Sequence, residues 1–255
     1  MDLTLKRFFV PFFSRSWHNL SMSPYVEKIS SSSPLFTTNV ITDALKRTPV
    51  SVLIRKVSKK LFSVMSKVTW HYGAFDLNYF TQNPWCFDSG DEQFRFIRTN
   101  QILSEHLRNI RNILEIGSGE GHQTAYLSKL SPKITGIDIS WIATKRARTA
   151  LPRCQFLRED FLKISKKFKS QSYQLVTAFE VLYYVNPTKL FEEMDRIGEN
   201  CVVTYFDSIR EDTLSSILKK YNPTVRKIQF ESSQWSIYFW KSTQKTQGRR
   251  GVGSD

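Results

Sequence analysis

Cysteine, histidine and long apolar runs are scarce in this 255-residue chain, and each scarcity excludes a class of protein. The three cysteines are Cys86, Cys154 and Cys201; none forms a C-x-x-C pair, and an odd number cannot pair off completely. This argues against a disulfide framework and fits a reducing compartment. The four histidines are scattered, with neither an H-E-x-x-H sequence nor the Cys/His spacing of zinc sites, so we expect no metal site.

No apolar run approaches the roughly 20 residues that a helix needs to span a bilayer. The most apolar N-terminal stretch, residues 5–13, is short and is interrupted by Lys6, Arg7 and Pro11. We therefore expect a cytoplasmic protein with no transmembrane segment. Residues 1–67 are basic, rich in serine and poor in acidic residues, so targeting to an organelle by this segment remains the alternative.

Positive charge is concentrated in three segments. The net charge is +14, and residues 1–67, 142–170 and 219–255 carry +8, +7 and +6, so the remaining residues are acidic on balance. Two interpretations stay open: solvated basic faces, or a surface for nucleic acid, an anionic membrane or an acidic substrate. In the first segment, apolar residues between 52 and 68 recur at helical spacing among lysines and arginines, which predicts a basic amphipathic helix.

Composition predicts three regions along the chain. They are a basic N-terminal arm over residues 1–67, partly disordered or helical; a folded domain over residues 68–242; and a disordered tail over residues 243–255. Within the domain, short apolar strands alternate with helices, and two final strands follow without a long helix between them. Alternation of this kind indicates an α/β fold with parallel strands and crossover helices, and the final two strands suit a reversed edge hairpin.

A glycine-rich turn follows the first apolar strand and leads into a helix. Its sequence is Glu115-Ile116-Gly117-Ser118-Gly119-Glu120-Gly121. Glycine permits positive φ and lets a ligand approach the backbone. The third glycine comes one residue too early for a dinucleotide fingerprint, no G-K-[ST] is present, and Glu115 would repel a pyrophosphate. We therefore expect a zwitterion with a cationic amino end, such as S-adenosylmethionine (SAM).

Two acidic residues follow the next two strands at positions that suit an adenosine moiety. Asp138 comes 21 residues after Gly117, where a carboxylate at a strand end can chelate ribose hydroxyls. Asp160 follows the third strand, where it can accept a hydrogen bond from an adenine amino group while Phe161 covers the ring. Either aspartate alone is more often a helix cap, so the prediction depends on their order and spacing with the glycine turn.

On these residues the chain resembles the class I SAM-dependent methyltransferases, and among them the nodulation protein S-type N-methyltransferases. The matching stretches are residues 83–87, 114–121, 136–140, 159–160 and 180–185. The resemblance implies a Rossmann-like, mostly parallel seven-stranded sheet of order 3-2-1-4-5-7-6 with helices on both faces. The cofactor residues that it implies are Glu115, Gly117, Ser118, Gly119, Gly121, Asp138, Ile139, Asp160, Phe161 and Glu180.

Within that pattern, Glu115 and residues 117–121 hold the methionine end of SAM, Asp138 the ribose, and Asp160 with Phe161 the adenine. Two features depart from it. The usual Pro-Gly-Gly turn before the fifth strand is replaced by Ile197-Gly198-Glu199-Asn200, which should leave the fold intact. The basic arm over residues 1–67 has no counterpart, so the substrate stays open.

The activity implied is methylation of a small-molecule or glycan acceptor, with an amine favoured by the subfamily resemblance. Methylating an amine requires a base or a proton path, for which the candidates are Glu180, Tyr183 and Tyr184. Trp85 and Phe87 are candidate substrate residues that can stabilise a cationic group through their ring faces. All four aromatic residues are also compatible with simple packing. The alternative is an RNA or protein methyltransferase that binds its substrate through the basic arm.

Overall fold

A computed structural model of the chain describes residues 72–207 and 211–244. The predicted basic arm, its amphipathic helix and nearly all of the predicted tail lie outside the described residues. The chain divides after Gln93 into two units. The domain boundaries drawn from the sequence therefore stay predictions.

The first unit contains a helix and a turn. Helix α1 is Tyr72–Asn78, and the next helix, α2, is Gly90–His106. In the turn between them, Asn83 Oδ1 accepts a hydrogen bond from the Phe87 N–H at 2.7 Å. The Gln93 side-chain amide donates to the Phe87 carbonyl at 2.5 Å. The loop predicted around Pro84 is thus a turn closed by an asparagine side chain.

The second unit alternates strands and helices, as the sequence pattern predicts. Its strands are β1 Ile113–Ile116, β2 Ile134–Asp138, β3 Gln155–Arg158, β4 Tyr173–Phe179, β5 Gly198–Phe206, β6 Thr224–Phe230 and β7 Ser233–Lys241. Its further helices are α3 His122–Leu127, α4 Trp141–Ala150, α5 Phe161–Ile164, α6 Pro187–Ile197 and α7 Glu211–Leu218, with 3-10 turns at Ser165–Lys167 and Lys219–Tyr221. The sequence did not indicate α5 or Ser165–Lys167, because segments this short show no hydrophobic period.

The strands form one sheet of order β3-β2-β1-β4-β5-β7-β6, which confirms the predicted fold. Strands β1 to β5 pair in parallel, whereas β7 lies antiparallel between β5 and β6. The departure at Ile197-Gly198-Glu199-Asn200 leaves this order intact, because β5 pairs with β4 from Gly198 onward. The strand order reverses between β1 and β4, the place where sheets of this kind bind ligands beyond their carboxyl ends.

Both faces of the sheet are buried. Leu114 and Val176 belong to one apolar cluster, and their neighbours Ile113 and Leu175 belong to another. Because successive strand residues point to opposite faces, the two clusters cover opposite sides of the sheet. This burial explains why both strands carry apolar residues at successive positions, Ile113-Leu114 in β1 and Leu175-Val176 in β4.

Candidate active site

Residues 117–121 turn the chain from β1 into α3 at the carboxyl edge of the sheet. Gly117, Gly119 and Gly121 have φ values of 75°, 52° and 88°, a region that residues with a Cβ atom rarely adopt. The turn is tied to β2, because the N–H groups of Gly117 and Ser118 donate to the Ile137 carbonyl at 2.7 and 3.1 Å. The backbone conformation therefore favours glycine at all three positions.

Side chains of the protein fill the space beside two of these glycines. A Cβ atom on Gly117 would overlap with Val181 Cγ2, and one on Gly121 would lie 3.1 Å from Leu151 Cδ1. Sequence reasoning explained the glycines by the approach of a ligand; internal packing is a further requirement at these two. Between them, Ser118 Oγ is buried and has no hydrogen-bond partner in the described part of the chain. It is a polar group that a ligand in the turn could satisfy.

Asp138, at the carboxyl end of β2, lies directly against the glycine turn. Its Oδ2 accepts a hydrogen bond from the Gly119 N–H at 2.8 Å, and its Oδ1 accepts one from the Ser140 N–H at 2.8 Å. Ile139, between these residues, is half-buried. The structure thus brings together Asp138, which was predicted to bind the ribose of SAM, and the glycine turn, which was predicted to hold its methionine end.

Glu115 is a buried acid next to the turn, with 2% of its surface exposed. Its Oε2 accepts a hydrogen bond from Thr124 Oγ1 on α3 at 2.5 Å. Burial raises the pKa of Glu115 to about 8; the Thr124 hydrogen bond and Arg95 act to lower it, and the charge of Asp138 acts to raise it. Sequence reasoning missed Thr124, whose position on the first turn of α3 was a usable signal. It also missed Arg95, because nothing in the sequence places α2 near β1.

Asp160, at the end of β3, caps a short helix. Its Oδ1 accepts a hydrogen bond from the Leu162 N–H at 3.1 Å, and its Oδ2 lies 3.8 Å from Lys163 Nζ. Phe161 is a buried member of an apolar cluster that also contains Ile164. Both residues therefore have structural roles, and their contact with an adenine ring stays a prediction.

Glu180 follows β4 with a φ of 55°, which is rare for a residue other than glycine. Tyr183 Oη donates a hydrogen bond to Glu180 Oε2 at 2.8 Å and accepts one from the Phe206 N–H at 2.8 Å. Tyr184 lies edge-on to Tyr183, with ring centroids 6.0 Å apart. Val181, the residue after Glu180, contacts Gly117, so the turn after β4 meets the glycine turn.

The two tyrosines are poor bases in this setting. Burial is the largest cause, and the negative charge of Glu180 adds to it, so the pKa values of Tyr183 and Tyr184 lie above the ordinary value for tyrosine. Both phenols therefore stay protonated at neutral pH. Of the three candidates, only Glu180 carries a carboxyl group that can act as a base.

Trp85 and Phe87, the candidate substrate residues, belong to the first unit, which holds residues 72–93 of the described chain. Both are half-buried, and Trp85 Nε1 donates a hydrogen bond to the Tyr79 hydroxyl at 3.3 Å. Their contact with a substrate stays a prediction.

Residues 72–207 and 211–244 contain neither a candidate metal cluster nor a candidate membrane-spanning helix. There, no group of three or more His, Cys, Asp and Glu side chains is arranged to hold a metal ion. Nor does any helix in these ranges combine the length and the apolar character needed to cross a membrane.

Parts of this chain match a known domain family and a curated relative. Residues 114–200 match a family model described as a methyltransferase domain. Trans-aconitate 2-methyltransferase from Escherichia coli O139:H28 (strain E24377A / ETEC) is 45% identical over 56 residues, which cover 21% of this chain and 22% of that protein. The chain therefore spans about a fifth of the length of the curated relatives that it matches.

Two solved structures share the fold over most of their own length. N-methyltransferase NodS from Bradyrhizobium japonicum WM9, in complex with S-adenosyl-L-homocysteine, aligns with a TM-score of 0.57 at 19% identity, over 68% of this chain and 98% of that one. The PH0226 protein from Pyrococcus horikoshii OT3 aligns with a TM-score of 0.52 at 14% identity, over 62% of this chain and 93% of that one. At such identities the likeness establishes the fold, and the chemistry must be argued from the site.

Proposed function

We propose that this chain is a class I SAM-dependent methyltransferase that transfers the SAM methyl group to an amine; the methyltransferase domain matched over residues 114–200 and the sheet order support this proposal. The acceptor is a small molecule or a glycan that carries the amine. The observation that carries this proposal is the position of the Glu180 carboxylate. Tyr183 donates a hydrogen bond to it, and the next residue in the chain, Val181, contacts Gly117 of the glycine turn.

The residues on the cofactor side fit SAM. When bound, SAM supplies an electrophilic methyl group on a sulfonium sulfur, which an acceptor lone pair attacks in line. Ser118 Oγ, which has no hydrogen-bond partner among the described residues, offers a polar atom at the turn. Asp138 already accepts two N–H groups, but a carboxylate has about four acceptor positions, so it can also accept from ribose hydroxyls. Glu115 lies buried beside the turn with a raised pKa, and an ammonium group close to it would favour its ionised form.

The acceptor side favours a cation. A carboxylate attracts an ammonium group and repels an acidic acceptor, and these interactions strengthen where water is excluded. The aromatic rings of Tyr183 and Tyr184 beside Glu180 can further stabilise a cation through their faces. An acid such as trans-aconitate would meet repulsion from Glu180, so the short match to that enzyme does not decide the acceptor.

Proton transfer is the second task of Glu180. An ammonium group has no lone pair, so the acceptor must lose a proton before or during methyl transfer. Glu180 accepts a hydrogen bond from the ammonium and takes up that proton. Tyr183 and Tyr184 do not compete for it, because they stay protonated phenols.

A labelled-methyl assay with the full chain tests the proposal. We expect transfer from methyl-labelled SAM to small amines or amino sugars, and a loss of roughly 10²- to 10⁴-fold in kcat/KM for Glu180→Gln. Calorimetry with S-adenosylhomocysteine shows how much of this loss comes from the cofactor contact that the resemblance implies for Glu180. Glu105→Gln, an exposed glutamate on α2, is the matched control. Transfer to carboxylates or to RNA alone would overturn the proposal.

One observation favours a second candidate, an RNA methyltransferase. The α4–β3–α5 edge of the sheet carries exposed cations, namely Lys145, Arg148, Arg153, Arg158, Lys163, Lys167 and Lys169. Trp141 is 47% exposed there, with Lys145 Nζ 4.9 Å from its ring centroid. A basic surface with an exposed aromatic ring suits single-stranded nucleic acid. Part of the charge is structural, however, since Arg148 donates two hydrogen bonds to the Phe156 carbonyl on the edge strand.

Salt dependence separates the two candidates. An RNA enzyme should bind a single-stranded oligonucleotide with an affinity that falls steeply with salt. Reversing Lys145, Arg153 and Lys167 to Glu should then abolish both binding and transfer. Reversing the exposed Lys219, Arg226 and Lys241 is the control with equal charge change. Equal effects from both triples would reject a specific RNA surface.

A further inference from the structure

The geometry points to Tyr183 as a positioning residue that holds the Glu180 carboxylate ionised and in one orientation for an ammonium-bearing acceptor. This inference rests on the function proposed above. It assigns the two residues different roles: Glu180 meets the acceptor, and Tyr183 acts through Glu180.

Sheet geometry explains why a tyrosine hydroxyl lies at this place. Strand β4 pairs with β5 as far as Phe179 and Thr204, and β5 continues to Phe206. The Asp207 N–H donates to Gln234 on the β7 side at 2.9 Å, so the Phe206 N–H points the other way, toward β4. There β4 has already ended, and the Tyr183 hydroxyl supplies the missing acceptor at 2.8 Å.

This contact fixes the direction of the next hydrogen bond. A phenol has one hydrogen, and its oxygen here accepts from a backbone N–H. The phenol hydrogen is therefore left for Glu180 Oε2, 2.8 Å away. A hydrogen bond from a hydroxyl to a carboxylate is charge-assisted and stronger than one between neutral groups. It stabilises the ionised form of Glu180 over the protonated form.

The ring of Tyr183 is held as firmly as its hydroxyl. It stacks on Tyr205 of β5 with centroids 5.0 Å apart, so both ends of the side chain are anchored to the same strand. Glu180, by contrast, has a positive φ of 55°, a conformation that persists only where the surroundings hold it. Burial, the largest cause, and the charge of Glu180 raise the pKa of Tyr183, so the phenol stays a donor across the working pH range.

Tyr183→Phe removes the hydroxyl and keeps the ring, and carbon-13 NMR of labelled glutamate reads the result without turnover. The Glu180 signal is assigned by its absence in Glu180→Gln. We expect the titration midpoint of Glu180 to rise by about one pH unit in Tyr183→Phe, that is about tenfold in the proton affinity. The acidic limb of the kcat/KM profile for an amine acceptor should move with it, while the KM for SAM stays unchanged.

Tyr173→Phe is the matched control, because Tyr173 starts β4 and its hydroxyl bonds to Thr135 at 3.3 Å. An unchanged Glu180 midpoint in folded Tyr183→Phe would overturn the inference. If that variant does not fold, 3,5-difluorotyrosine at position 183 gives a stronger donor of nearly the same shape, and the midpoint must fall. A wild-type chain that methylates no amine, yet shows the shift, refutes the proposed function and leaves the coupling of Tyr183 to Glu180 standing.

Discussion

Val181 packs against Gly117 at the place that a Cβ atom would occupy. This contact joins the turn after β4 to the turn after β1. Glu180 precedes Val181 in the chain, so the carboxylate proposed for the acceptor is positioned by the same turn that is proposed for the cofactor. Steric fit between the turns at two parallel strand ends thus helps to set the distance between the two halves of the site.

Gly117→Ala should destabilise the protein and weaken cofactor binding together. The backbone φ of 75° costs a residue with a Cβ atom about 1–2 kcal/mol, and overpacking against Val181 adds about 1–3 kcal/mol. Denaturant unfolding measures the stability, and calorimetry with S-adenosylhomocysteine measures the binding. In the double variant with Val181→Ala, the loss should be smaller than the sum of the single losses. Strict additivity would mean that the contact carries no strain.

Asp138→Asn should weaken binding of S-adenosylhomocysteine by about 10- to 100-fold. An amide presents an N–H group toward one of the two N–H donors that the carboxylate now accepts, Gly119 or Ser140. Asparagine also lacks the negative charge that would strengthen hydrogen bonds from the ribose hydroxyls. Calorimetry gives the affinity directly.

Asp160→Asn is the comparison for this experiment, because asparagine caps a helix about as well as aspartate. The variant should keep its thermal stability, since the Leu162 N–H keeps an acceptor. An equal affinity for S-adenosylhomocysteine in wild type and Asp138→Asn would remove Asp138 from the cofactor site.

Asp195→Ala should destabilise the domain by about 2–4 kcal/mol without changing cofactor affinity. Its buried carboxylate accepts hydrogen bonds from Trp240 Nε1 at 3.1 Å and from the N–H and hydroxyl of Thr243 at 3.0 and 2.7 Å. These bonds fasten the chain after β7 to the end of α6. Asp195 precedes β5, at the amino end of the strands and so away from the glycine turn.

Glu192→Ala is the control for Asp195. Glu192 lies one turn earlier on α6 and pairs with Lys220 at 3.3 Å, with both side chains at least half exposed. Exposed ion pairs of this kind contribute about 0–1 kcal/mol. A loss from Asp195→Ala no larger than that from Glu192→Ala would contradict the role assigned to the buried carboxylate.

The fold was largely predictable from the sequence because its signals are local. The apolar run into Gly117 and the acid 21 residues later at Asp138 each belong to one strand end, and parallel strands bring such ends together. The contacts that complete the site were not predictable in this way. Val181 on Gly117 and Phe206 with Tyr183 join segments far apart in sequence, and their partners are set by sheet register.

Single residues show the same limit. The family resemblance implied that Glu115 is a cofactor residue. Its state of ionisation depends on complete burial and on Arg95, which comes from a helix before β1. The spacing of residues along the sequence does not predict the electrostatic surroundings of a side chain.

Glu115 should make the stability of the cofactor-free protein fall as the pH rises. Its pKa is about 8 in the folded state against 4.5 for an ordinary glutamate side chain. Between these values the unfolded chain has lost the proton that the folded chain keeps, so the free energy of unfolding decreases with pH by at most about 1.4 kcal/mol per unit. The contribution is fully present below pH 4.5 and is lost as the pH passes through about 8.

Glu115→Gln isolates this effect, because glutamine keeps a side-chain oxygen for Thr124 and has no proton to lose. Denaturant unfolding between pH 5 and 9 should show a flatter profile for the variant than for wild type. The difference between them should grow in favour of glutamine as the pH rises, because only the wild type must then bury a charge. Glu105→Gln, which alters an exposed glutamate, should leave the profile unchanged. Parallel profiles for wild type and Glu115→Gln would mean that Glu115 is already ionised in the folded protein, held so by Arg95.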